Sequence, residues 1–242
     1  MSLSKNQLKL ITSLQQKKYR ISNKLFIAEG TKVVNELLNS SFELEQLFCV
    51  NDSSYKSIYN KCLISEVELK KISTLKTPNN VLALFKIPSE KNIKNEGFIL
   101  ALDDINDPGN LGTIIRLCDW FGVDQLICST NTVDCYNTKV VQASMGSLTR
   151  VSIVYTNLVE YLQNSTLPKY VSLMYGENVY QSNLLKDAIL VMGNEANGIS
   201  SSVLKLLTET ISIPRFGKVQ QTESLNVATA TAILLSEFKR GS

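Results

Sequence analysis

Two kinds of hydrophobic pattern alternate along this chain. In the first third, Leu3, Leu10, Ile11 and Leu14 fall on one helical face, which predicts a helix over 3–14. A short apolar strand follows at 25–28, then a helix at 32–38, a strand at 44–50, a helix at 67–72 and a strand at 81–87. This is a small α/β unit. The polar stretch 88–97 is bracketed by Pro88 and Gly97 and reads as a linker. Beyond it come short apolar runs at 98–102, 125–128, 151–155, 171–174, 189–192 and 211–213. Most are continuous rather than alternating, as expected of strands buried on both faces of a parallel sheet. Helical patterns between them supply the crossovers. The expected architecture is α/β throughout: a domain over 1–90, a linker over 91–97 and a parallel-sheet domain over 98–242.

Composition narrows the chemistry. The 242 residues include no histidine. That removes the Ser-His-Asp and Cys-His nucleophile systems and the usual general base at neutral pH. Five cysteines, an odd number with no Cys-x-x-Cys pair, argue against a disulfide framework or a zinc site. They read as small buried hydrophobes in a reducing compartment, and no metal is expected. No run approaches the ~20 apolar residues of a membrane span. The opening Met1-Ser2-Leu3-Ser4-Lys5 has no apolar core of a signal peptide. The expected location is the cytoplasm.

Charge is divided unevenly. Residues 1–96 carry 15 Lys/Arg against 9 Asp/Glu, whereas 97–242 carry 10 against 13. The first 24 residues hold Lys5, Lys9, Lys17, Lys18, Arg20 and Lys24 with no acid. Such an end suits a polyanion, although a solvated basic helix has the same composition.

Three segments after the linker carry candidate chemistry. In 107–116, DPGNLGTIIR, the residues Leu111, Ile114, Ile115 and Cys118 have the spacing of a buried helix face. Asn110 is placed to cap that helix, Gly122 to end it, and Arg116 lies roughly opposite the buried face. In 190–200, LVMGNEANGIS, a buried strand runs into Gly193-Asn194-Glu195-Ala196-Asn197-Gly198. Ligands of open α/β sheets sit at such carboxyl ends, and Gly193 lets backbone approach closely. In the third, Ile213-Pro214 ends a strand, and Ser224 is placed to cap the helix that follows Glu223-Ser224-Leu225-Asn226. Each segment alone also reads as a capped helix or a solvated turn. Neither a Gly-x-Gly-x-x-Gly fingerprint nor a phosphate-binding Gly-Lys-Ser/Thr loop is present.

Taken together, in order and spacing, the three segments resemble the motifs of the SpoU, or TrmH, branch of the SPOUT RNA methyltransferases. Residues 139–147, KVVQASMGS, are similar to a family stretch between the first two motifs. Lys17-Lys18-Tyr19-Arg20 with 25–30, LFIAEG, and Thr77-Pro78 before Val81 resemble the family's N-terminal substrate-binding domain, whose fold is shared with RNA-binding ribosomal proteins. Arg215 and the loop 216–222, with Lys218, Gln220 and Gln221, depart from the commonest family pattern.

The resemblance implies a trefoil-knotted C-terminal domain, a homodimer, and S-adenosylmethionine as cofactor. It implies methyl transfer to a ribose 2′-hydroxyl of a structured RNA, ribosomal RNA rather than transfer RNA. Arg116 is then the residue nearest the chemistry. Glu195, Ser224 and Asn226 orient it and the ribose, and Asn110 holds the loop or the target nucleotide. Met192, Gly193, Asn194, Gly198, Ile213, Pro214, Ser224, Leu225 and Asn226 hold the cofactor. Lys17, Lys18, Arg20 and Lys24 meet RNA. The competing readings are a non-catalytic RNA-binding protein on the same fold, or the same activity directed at transfer RNA.

Overall fold

In the computed structural model, which describes residues 3–219, 221 and 224–240, the elements run as follows. The first are α1 (Lys5–Ser13), α2 (Lys17–Asn23), β1 (Leu25–Glu29), α3 (Thr31–Leu38), β2 (Leu44–Cys49), β3 (Lys61–Leu63), α4 (Glu66–Ile72) and β4 (Val81–Lys86). Then come β5 (Phe98–Asp103), α5 (Pro108–Phe121), β6 (Gln125–Ser129), α6 (Thr138–Ser144), β7 (Ile153–Thr156) and α7 (Leu158–Asn164). The last are β8 (Lys169–Asn178), β9 (Ala188–Gly193), α8 (Ser201–Leu204), β10 (Glu209–Ser212) and α9 (Val227–Lys239). They form two units: Met1–Ser89 with Asp134–Arg150, and Glu90–Val133 with Val151–Ser242.

The first unit is built on a four-stranded sheet of order β1-β4-β2-β3. β1 and β2 both run antiparallel to β4, and β3 is parallel to β2. Alternate side chains take opposite faces. Leu25 and Ile27 join Ile11 of α1, Leu14 just after it, and Leu69 and Ile72 of α4. Phe26 instead meets Phe85 and Tyr136, the latter just ahead of α6. The segment carrying α6 thus packs on β1 although its sequence neighbours belong to the other sheet.

α2 is held by a single side chain. Of its seven residues only Arg20 is buried, at 2% exposure, while Lys17, Lys18 and the following Lys24 are exposed. The Arg20 guanidinium pairs with Asp134 at 2.6 Å and donates to the carbonyls of Leu14 and Gln15, both at 2.9 Å. It therefore closes the α1–α2 corner and fastens it to the α6 segment. This overturns the expectation that Arg20 meets RNA: the side chain is buried and all three guanidinium nitrogens are engaged inside the unit. Summed charge cannot distinguish such a cation from its exposed neighbours.

The second unit carries a six-stranded, all-parallel sheet of order β10-β8-β9-β5-β6-β7. β5, β6 and all but the last residue of β9 are buried throughout, as the continuous apolar runs predict. The chain leaves β5 for β6 on one side, and β9 returns on the other. The strand order therefore reverses between β5 and β9, and their carboxyl ends open the crevice where such sheets take ligands. β8 is longer than its apolar run. Its pairing with β10 skips from Val171 to Glu177, so 172–176 bulges out, with Met174 and Tyr175 exposed. All five cysteines are buried, and burial pushes the Cys118 and Cys128 thiols up.

Removing Arg20 strands Asp134 beside a helix corner that has lost its donors. Arg20→Ala is expected to cost about 3 kcal/mol in urea unfolding, in the range for breaking a buried pair. A loss below about 0.5 kcal/mol would place Arg20 among ordinary surface side chains.

Candidate active site

α5 begins where Asp107, in extended conformation, accepts the Asn110 backbone N–H at 2.7 Å, with Pro108 as the first helical residue. Asp107, not Asn110, is the cap. Proline is pre-set for the first helical position, so Asp107-Pro108 outcompetes a cap three residues later. Gly122 ends the helix in the left-handed region, as its type predicts. α9 shifts in the same way. Asn226, not Ser224, caps it, its Oδ1 accepting from Ala228 and Thr229 at 3.0 and 3.2 Å.

Relieved of capping, the Asn110 carboxamide reaches across the crevice. Its Nδ2 donates to Glu195 Oε1 at 2.6 Å, and its Oδ1 accepts from Asn226 Nδ2 at 2.9 Å. Chemistry fixes every orientation here. An ionised carboxylate only accepts, so Asn110 turns its amide nitrogen to Glu195. Its oxygen must then meet the Asn226 nitrogen, and the Asn226 oxygen must face the α9 N–H groups. The row runs from the positive end of α9 to a carboxylate, with every dipole in line.

The loop after β9 is shaped by Asn194. Its Oδ1 accepts from the backbone N–H groups of Ala196 and Asn197 at 2.9 and 3.0 Å, and its Nδ2 donates to the Asp104 carbonyl at 2.6 Å. Asn194 and Gly198 also exchange backbone hydrogen bonds. A Cβ on Gly193 would stand 2.5 Å from the Gly198 carbonyl carbon, so only glycine lets the loop fold back this closely. Across the base of the loop, Asp103 accepts the Ser200 N–H at 2.7 Å.

Asn106, Asp107, Asn110, Asn194, Glu195, Ala196, Asn197 and Asn226 line an open cleft of about 700 Å³ at this reversal point. Of the expected site residues, Asn110, Asn194, Glu195 and Asn226 meet there. Gly193 ends β9, Gly198 closes its loop, and Ile213 and Pro214 follow β10, so these lie at strand ends, while Met192 is buried in β9. Ser224 and Leu225 are exposed. Glu223 and Gln220 lie outside the described residues. Asn106, Asp107 and Asn197 line the cleft as well, and the Asp-Pro pair is the sequence signal for Asp107.

Arg116 does not join the row. It is exposed, and no hydrogen bond or ion pair links it to Glu195, Ser224 or Asn226 among the described residues. The reason is helical geometry. Six residues beyond Asn110 is about 9 Å along the axis and roughly 240° around it. Glu195 and Asn226 are instead both bonded to Asn110. Among the described residues no three His, Cys, Asp or Glu side chains gather as a metal site requires, and no helix is long and apolar enough to cross a membrane.

The two roles separate by substitution. Asp107→Ala is expected to cost about 1 kcal/mol of stability and Asp107→Ser only a few tenths. Asn110→Ala should cost less than Asp107→Ala in the same denaturant titration. The reverse order would make Asn110 the cap.

The sequence and the fold have relatives. Residues 97–236 match the model of the SpoU rRNA Methylase family, and residues 5–83 match that of the MRM3-like substrate binding domain. The chain is 30% identical over 234 residues, 93% of each protein, to the 23S rRNA (guanosine(2553)-2′-O)-methyltransferase RlmP of Bacillus subtilis. Its fold is similar to that of a TrmH-family protein of Porphyromonas gingivalis, with a TM-score of 0.90 and 38% identity over 99% of each chain. It is also similar to the AdoMet-bound rRNA methyltransferase of Sinorhizobium meliloti, with a TM-score of 0.86 and 27% identity over 99% of this chain and 97% of that one. The chain belongs to the SpoU rRNA methylase family.

Proposed function

We propose that this protein transfers a methyl group from S-adenosylmethionine to a ribose 2′-hydroxyl of ribosomal RNA. The observation that carries the reading is the Asn226–Asn110–Glu195 row, in a cleft at the strand-order reversal of a SpoU-family sheet. The cleft suits the cofactor. Among the described residues that line it, the charged side chains, Asp107 and Glu195, are acidic, which favours a sulfonium cation. The ends of β9 and β10 offer backbone groups, and Ile213, Pro214 and Leu225 offer apolar surface. Met192, Gly193, Asn194, Gly198, Ile213, Pro214, Ser224, Leu225 and Asn226 are assigned to hold it.

When bound, S-adenosylmethionine supplies an activated methyl group for in-line displacement by the ribose oxygen. The residues supply alignment and charge. Asn110 immobilises Glu195 through Oε1, which leaves Oε2 for the ribose hydroxyl. Arg116 is always charged and a poor base. Standing exposed on α5, it is assigned to grip a neighbouring RNA phosphate and stabilise the developing alkoxide. Ser224 and Asn226 orient the ribose from the α9 end.

RNA binding is assigned to the exposed Lys17, Lys18 and Lys24 of the first unit. A homodimer with a trefoil knot completes the proposal. Trp120, 85% exposed one turn beyond Arg116, supports an interface on that face of α5. A monomeric wild type in sedimentation contradicts the dimer. An unchanged salt slope of RNA binding after neutralising the three lysines contradicts the RNA face.

Incubation of ribosomal RNA with methyl-labelled cofactor should place label on ribose; label on a base nitrogen or carbon would refute the reading. Arg116→Ala should change stability by less than about 0.5 kcal/mol. In single-turnover methylation with saturating RNA it should lose about a hundredfold or more in rate. Arg116→Lys should also be badly impaired, because the planar fork is lost. Cofactor affinity should stay near wild type in both. Normal turnover in folded Arg116→Ala would remove it from the mechanism.

A further inference from the structure

Asp104 stands one residue beyond β5 and is a non-glycine residue in the left-handed region, with φ of 58°. Such backbone is costly for an L-residue and persists where surroundings over-determine it, although Asp tolerates it better than most. Here the surroundings come from three strand ends. The Asp104 N–H donates to Ser129 Oγ at 2.9 Å, and Ser129 Oγ returns a bond to Asp104 Oδ1 at 2.8 Å. Ser129 is the last residue of β6, and Thr132 lies 3.0 Å from its hydroxyl. Asn131 reaches the other Asp104 carboxylate oxygen at 3.5 Å. With N–H and carboxylate both turned to β6, the Asp104 carbonyl remains free on the β9 side, where it takes Asn194 Nδ2.

Asn194 is the residue whose other amide atom shapes the Ala196–Asn197 turn and so carries Glu195 between two fixed backbone groups. Hydrogen bonds therefore link Ser129, Asp104 and Asn194, the peptide bond carries the line on to Glu195, and hydrogen bonds continue it to Asn110 and Asn226. We infer that Asp104 is a positioning residue for methyl transfer: its left-handed backbone, clasped by Ser129, aims the carbonyl that sets Asn194 and thereby the height of Glu195 in the cleft. This rests on the proposed activity but not on the identity of the RNA. Asp104 lines no part of the cleft itself.

Three substitutions divide the carboxylate from the backbone. Asp104→Asn keeps an acceptor for Ser129 and tolerates the left-handed region. Asp104→Gly keeps the backbone freedom and the N–H bond to Ser129 but loses the carboxylate half of the clasp. Asp104→Ala loses the same half and also resists the conformation. Single-turnover methylation is expected to stay within about threefold of wild type for Asn. It should fall by about tenfold to a hundredfold for Ala, as small misplacements at a reacting centre do, with Gly between them. KM for RNA should not move, because no phosphate contact changes.

A second readout needs no activity. Amide hydrogen exchange at Ala196 and Asn197 should quicken by about tenfold in Asp104→Ala and recover in Asp104→Asn. Wild-type protein that transfers no methyl would sink the functional reading and leave the exchange measurement to decide this one. Unchanged exchange at Ala196 and Asn197 in folded Asp104→Ala overturns the inference, as does a turnover loss that Asn fails to rescue.

Discussion

The geometry of the cleft depends on one carboxamide. Asn110 has one face that donates and one that accepts, and the structure uses both at once. Turned over, it would aim oxygen at a carboxylate and nitrogen at another amide nitrogen. That polarity propagates to Asn226 and ends on the N–H groups of α9. The first turns of two helices and the loop after β9 are thereby locked in one arrangement, without histidine. Positioning of this kind suits a reaction in which the transferred group arrives already activated.

The arrangement exists because capping is done elsewhere. With Asp107 closing α5 through the Asn110 backbone, the Asn110 side chain is available to span the crevice. Asn226 does both tasks, since its oxygen caps while its nitrogen bridges. The sheet supplies the span itself. β5 and β9 are neighbours in register up to Asp103 and Gly193, so the loops that follow them rise side by side. Asp104 then joins those loops to the end of β6.

Much of this was legible in the sequence, for physical reasons that differ by element. Strands buried on both faces have to be apolar throughout, so β5, β6 and β9 announced themselves. The 175–178 part of β8 did not, because it follows a bulge over 172–176 and keeps a mixed composition. The family motifs brought Asn110, Glu195 and Asn226 forward, and they meet. Their roles were harder to read. Asn110 and Asp107 are both cap formers three residues apart, and only Pro108 separates them. Arg20 sat in a basic run that suggested a polyanion, and nothing local reveals that its partner lies at Asp134. Long-range pairings of this sort are a property of the tertiary fold, as is the packing of α6 on β1.

The central claim is that Asn110 and Glu195 act as one unit in methyl transfer. The most direct measurement is a double-mutant cycle on the single-turnover rate with Asn110→Ala, Glu195→Ala and the double variant. Residues joined in one hydrogen-bonded network should couple by about 1–3 kcal/mol, so the double variant should be little slower than the worse single one. Effects that add to within about 0.5 kcal/mol would mean the two side chains act independently, and would contradict the account.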